Sequence, residues 1–256
     1  MLTVVTVGVG CYVAGLAVRG GLDGLLMLPP LTILLFAASG TVDASVWLGL
    51  FAGVGRVGAS IVTAGFSTHP LFAAVIVLVA LEEALSPLTM VGILVLVSGL
   101  VIVAVSNGGD RSDWGLADLA FSLSAAAAYA LSNVIRRYVL TATSASPPEA
   151  VTVNASATPT VLSEYATLTR DRITRPAPAS LRAFAVSGLF SAVALLSVFE
   201  AFARGSVAVV SDLSGRSPAV TTPVAAVFLA DVERMTVGVV IGVGLVVCGA
   251  TPITVA

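Results

Sequence analysis

The sequence predicts an all-α fold, a polytopic transmembrane bundle of about ten helices, each needing about 20 apolar residues to cross a bilayer, and three observations predict it. The first is composition: 57% of the 256 residues are apolar and 10% are charged, with mean hydropathy +1.06, whereas soluble domains carry about a quarter charged residues. The second is run length, since the apolar stretches suit a hydrocarbon core about 30 Å thick at 1.5 Å rise per residue. The third is continuity. Runs such as Val91 to Val105 do not alternate, which excludes a transmembrane β-barrel.

Taken in order, the candidate spans are 2–18, 24–40, 45–65, 67–84, 88–106, 114–135, 148–167, 182–203, 206–230 and 235–255. The first is read as a span and not a signal peptide, because no basic region precedes it and apolar runs continue after it. The third is weak, carrying Arg56 and five glycines. The fourth is apolar only from Leu71 to Leu81. The seventh is polar for a span, with Glu149, Asn154, Pro159, Ser163 and Glu164, each costly in lipid unless it faces protein or water.

Ser106 to Asp113 is a turn-rich polar linker and forms a natural seam between repeats at 1–108 and 109–256. Cys11-Tyr12 followed by Arg19 is echoed by Ala128-Tyr129 followed by Arg136. Arg56 and Pro70 recur 148 residues later as Arg204 and Pro218. Thirteen residues after each proline comes an acid, Glu83 or Asp231. Repeats with an odd number of spans would be inverted in the membrane. The first repeat is short: 36 residues separate Arg19 from Arg56, against 67 between Arg136 and Arg204. Either Arg56 lies inside one continuous helix or the third span is truncated.

The stretches His69-Pro70 through Glu83, Leu85 through Gly92, Ser217-Pro218 through Arg234 and Thr236-Val237-Gly238 resemble the EamA-like members of the drug/metabolite transporter superfamily. The resemblance covers residues 56–106 and 114–255. It implies two inverted repeats of about five helices, alternating access around a central cavity, and export of small metabolites or drug-like solutes. The first, third, fourth, sixth, eighth and ninth spans would line that cavity. It also implies cytoplasmic termini, which puts Arg170, Arg172, Arg175 and Arg182 outside, against the positive-inside bias.

An ionisable residue at membrane depth is a functional candidate. Asp212 and Arg216 stand four apart on one helical face, with Ser211, Ser214 and Ser217 beside them and Pro218 opening the backbone ladder. They are expected to bind substrate, or else to form a local surface pair. Thr68 and His69 are their counterparts in the first repeat. His69, the only histidine, is a proton-coupling candidate, the bland reading being a polar group at a kink. Glu200 is the second such candidate, against a plain i,i+4 pair with Arg204. Tyr12, Tyr129, Ser132 and Asn133 are candidate substrate contacts, or interhelical hydrogen bonds. The glycines at 8, 10 and 15 and at 238, 242, 244 and 249 are read as packing positions.

No catalytic residue, metal set or cofactor is expected: one histidine and two cysteines in distant spans supply neither a nucleophile with its base nor a ligand cluster. No glycine-rich stretch ends as a P-loop does. The expected location is the cell membrane. The expected partners are the lipid bilayer and a small-molecule substrate, with no nucleic acid, and with a homodimer left open. The alternative reading is a decayed, non-transporting family member or an assembly partner. An intramembrane enzyme is a distant third.

Overall fold

Proline and glycine set the boundaries of the first helices. The computed structural model describes residues 2–57, 62, 65–81, 87–106, 116–168, 177–205, 207, 210–211, 214 and 236–255. Helix α1 (Leu2–Val18) ends where Gly20 adopts φ +67° and the Gly21 amide bonds back to the Leu16 carbonyl, a Schellman-type closure that favours glycine. One short turn, α2 (Leu22–Leu26), follows. Pro30 then opens α3 (Pro30–Val57), where a missing amide costs nothing.

The remaining helices are α4 (His69–Leu81), α5 (Pro87–Ser106), α6 (Leu116–Ala142), α7 (Pro147–Leu168), α8 (Pro178–Arg204) and α9 (Val237–Val255). The chain is all-α throughout the described residues. At the start of α7, the Glu149 carboxylate accepts the Ser146 amide at 2.8 Å, half of a capping box. Pro178 and Gly205 bracket α8.

Two expectations need correction. The second and third candidate spans are one helix: α3 runs 28 residues without a break, about 42 Å at 1.5 Å per residue. Residues 41–44 fall between those two candidate spans, yet the Thr41 and Ser45 hydroxyls bond to carbonyls four residues back and Asp43 is buried. Arg56 therefore lies inside a continuous helix, not beyond a truncated one. The pairing of α1 with the sixth span is also displaced. Pro30 and Pro178 open helices 148 residues apart, and Phe36-Ala-Ala-Ser39-Gly40 recurs at that spacing as Phe184-Ala-Val-Ser187-Gly188, so α3 corresponds to α8.

The chain forms two units, Met1–Ser45 with Ile135–Gly205, and Val46–Val134 with Ser206–Ala256. In the first, one contact is built twice. A Cβ on Gly40 would strike the Asn154 backbone and Ala157; a Cβ on Gly188 would stand 2.8 Å from the Val4 carbonyl oxygen and 2.9 Å from Val7 Cβ. Gly40 and Gly188 are 148 residues apart, and Val4 and Val7 lie 150 before Asn154 and Ala157. Thus α3 meets α7 as α8 meets α1, and α1 is the counterpart of α7.

In the second unit α5 packs on α9. Gly99 lies against Gly242 and Val246, and Gly249 lies against Gly92 and Leu96. These contacts exchange with one another at a spacing of 150 residues. The partner on α9 retreats along the chain as α5 advances, so the two are antiparallel. The packing role expected of Gly238, Gly242 and Gly249 is seen, whereas Gly10, Gly15 and Gly244 would meet nothing within 4 Å.

Large apolar side chains point outward. Phe190 is 75% and Leu94 66% exposed, with Leu31, Leu34, Val193, Val240 and Ile241 also exposed, while Arg136, Asn133, Asn154, Ser39 and Ser132 are buried. Pro30–Leu50 and Ala179–Arg204 are long and apolar enough to cross a membrane. Of the polar residues of α7, Thr152, Asn154 and Thr158 are buried, Ser156 and Ser163 are exposed and bond to carbonyls within one turn, and Glu164 is exposed.

Candidate functional site

The first polar cluster lies inside the first unit. Asp43 of α3 sits three residues beyond the Gly40 crossing, and an Arg136 Nη2 of α6 is ion-paired with its Oδ2. The same nitrogen lies 3.5 Å from Asn154 Oδ1 on α7. The guanidinium carbon stands 5.1 Å from the centre of the Phe199 ring on α8, and that ring tilts against Phe36. Asn154 Nδ2 donates to Ser39 Oγ at 2.7 Å and to the Phe36 carbonyl at 3.4 Å. Four helices therefore converge on one arginine that has no exposed surface. A charge so placed is tolerable only when paired and hydrogen-bonded.

Its neighbour Arg137 is used differently, donating to the Phe202 carbonyl.

The second cluster lies inside the second unit, at the start of α4. The Thr68 hydroxyl donates to the Gly65 carbonyl at 2.6 Å, and the Thr68 carbonyl accepts the Leu71 amide at 2.9 Å. This turn delivers His69, 3% exposed, into the helix. His69 Nδ1 is 3.1 Å from the Phe66 carbonyl; a carbonyl only accepts, so Nδ1 carries a proton. The imidazole meets Tyr129 edge-on at 5.1 Å and Phe66 at 5.3 Å. The Tyr129 hydroxyl pairs with the Asn133 side chain one turn on. The Ser211 backbone comes within range of the imidazole. His69 Nε2 and Ser211 Oγ are buried without a hydrogen-bond partner of ordinary geometry among the described residues.

The structure thus gathers four of the expected residues, Thr68, His69, Tyr129 and Asn133. Tyr12 stands apart in the first unit, its hydroxyl donating to the Ala192 carbonyl at 2.9 Å, an interhelical packing bond. Glu200 forms an exposed pair with Arg204 at 2.9 Å. Ser214 bonds back to the Val210 carbonyl. Asp212, Arg216 and Ser217 lie outside the described residues. No group of three or more histidine, cysteine, aspartate or glutamate residues able to hold a metal occurs among the described residues. Cys11 and Cys248 are free.

Sequence reasoning passed over Asp43, Arg136 and Ser39 as functional residues. The available signal was a lone acid within one apolar run and two adjacent bases within another, each demanding a partner.

No family model matches the chain, and no curated protein does. One solved structure, described only as "Crystal structure of protein", is similar to it with TM-score 0.75 and 19% identity, over 99% of this chain and 85% of that one. At that identity the likeness establishes a shared fold.

Proposed function

We propose that this chain is an EamA-like secondary carrier, an integral protein of the cell membrane that moves small metabolites by alternating access between two inverted repeats. The observation that carries this reading is the pairing of equivalent helices. Helices α5 and α9 exchange contacts at a spacing of 150 residues and run antiparallel. Inverted repeats in a membrane give this arrangement, and it underlies many secondary transporters.

The polarity of the chain supports the same reading. Apolar residues face out and a charged pair lies within, as expected where lipid replaces water outside. The continuous α3 favours an intact carrier over a decayed one, since a truncated third span would not cross the bilayer.

Reconstitution into liposomes tests it. Folded protein should carry at least one solute of a broad amino-acid, organic-acid and amide panel faster than protein-free vesicles do. Folded protein inert toward the whole panel would refute the carrier reading.

A further inference from the structure

We infer that the Arg136–Asp43 pair is a recognition site for carboxylate-bearing solutes, in which the solute's carboxylate takes the place of Asp43 on the guanidinium and Asp43 takes up a proton. The inference rests on the carrier reading and adds its substrate class and its coupling.

The fold does not need these charges at this place. The crossing of α3 on α7 at Gly40 is repeated by α8 on α1 at Gly188. At the second copy, Val4 stands where Asn154 stands at the first, Gly8 where Thr158 stands, and Ser191 where Asp43 stands. Close approach is achieved there with valine and glycine, and Tyr12 supplies one neutral hydrogen bond. A buried ion pair is weak support for a fold, and the α8–α1 crossing closes without one, so the arginine that α6 brings to the α3–α7 crossing points to use and not to packing.

The guanidinium suits the ligand. Arginine presents a planar fork that matches a carboxylate, and Asp43 already occupies it as an internal carboxylate. Asn154 and the Phe199 ring hold the fork in place from α7 and α8. A solute carboxylate arriving at this site would leave two anions beside one cation. Protonation of Asp43 from water removes one of them. The ion pair Arg136–Asp43 is broken, the ion pair Arg136–solute is formed, and the site's net charge is unchanged. One proton is therefore bound with each carboxylate.

Asp43 meets Arg136 from α6 and, through Arg136, Asn154 from α7 and Phe199 from α8. Elsewhere in this unit Glu149 is engaged at the start of α7, Arg137 on the Phe202 carbonyl, and Glu200 with Arg204 in an exposed pair, while Arg19, Asp23, Glu164 and Arg182 are exposed.

The test uses L-lactate and its uncharged analogue lactamide with the full-length protein. In detergent, lactate should raise the unfolding temperature and lactamide should not. Its affinity should tighten by as much as ~tenfold per pH unit on acidification while Asp43 titrates, since one proton binds with each anion. Asp43→Asn should bind lactate with no pH dependence, and Arg136→Gln should not bind it. Asp43→Asn preserves shape and leaves arginine a hydrogen-bonding amide, so its pH profile is decisive even where Arg136→Gln does not fold. Lactate binding that survives Arg136→Gln, or an unchanged pH slope in Asp43→Asn, would overturn the inference. In liposomes, flux of lactamide or other neutral solutes with lactate ignored would overturn it and keep the carrier. Absence of flux for every solute would instead remove the carrier reading.

Discussion

Arg136 on α6 and Asp43 on α3 are 93 positions apart in the chain and are joined side chain to side chain, the arginine wholly buried. Removing one partner strands the other charge. Asp43→Ala should therefore lower stability by about 3–5 kcal/mol, while replacing both by apolar residues of similar size, as in Asp43→Leu with Arg136→Met, should cost far less or even stabilise. Thermal unfolding in detergent of the two single variants and the double reads this directly; additive losses would contradict it.

The glycine contacts make a sharper packing prediction. Gly99→Val and Gly249→Val each push a side chain into the backbone of the facing helix, and overpacking of this kind costs about 1–3 kcal/mol or more. Gly244→Val on the same helix meets nothing within 4 Å and should leave the unfolding temperature close to wild type. Equal losses at all three positions would argue against the α5–α9 interface.

At His69 the two ring nitrogens have different tasks. Nδ1 donates to the Phe66 carbonyl, a bond an asparagine amide can imitate and a glutamine amide, which reaches to the Nε2 position, cannot. His69→Asn should keep most of the stability, and His69→Gln should lose about 1–3 kcal/mol for the carbonyl left unpaired. The reverse order in thermal unfolding would show that Nε2 is the structural nitrogen.

Glu200 and Arg204 are a control. Their pair is exposed and one helical turn apart, so Glu200→Gln or Arg204→Gln should change stability by less than about 0.5 kcal/mol. It should leave any flux pH-dependence as in wild type. An altered pH profile in Glu200→Gln would restore Glu200 as a coupling residue.

The helical class was legible because composition and run length act over the whole chain, and the 148-residue spacing was legible in Arg56 and Arg204. The same spacing also carried Phe36-Ala-Ala-Ser39-Gly40 into Phe184-Ala-Val-Ser187-Gly188, which a search on charged residues alone does not find. Asp43 fell between two candidate spans because a carboxylate interrupts an apolar run and calls for a partner. That partner belongs to another helix, beyond the reach of local pattern. His69 and Thr68 were legible as candidates from their place beside Pro70, which recurs 148 residues later as Pro218. That Tyr129 and Phe66 box the imidazole follows only from tertiary packing.

The central claim is that equivalent helices lie inverted in a bilayer, and sided cysteine labelling tests it most directly. In a background carrying Cys11→Ser and Cys248→Ser, single cysteines are placed by Ser106→Cys, Thr236→Cys and Leu88→Cys and exposed to an impermeant maleimide in sealed, oriented membranes. Ser106 ends α5 beside Gly238 at the start of α9, so Ser106→Cys and Thr236→Cys should label from one face and Leu88→Cys from the other. Labelling of Ser106→Cys and Thr236→Cys from opposite faces would contradict the antiparallel pair. Recovery of the protein in the membrane-free fraction would contradict the bilayer itself.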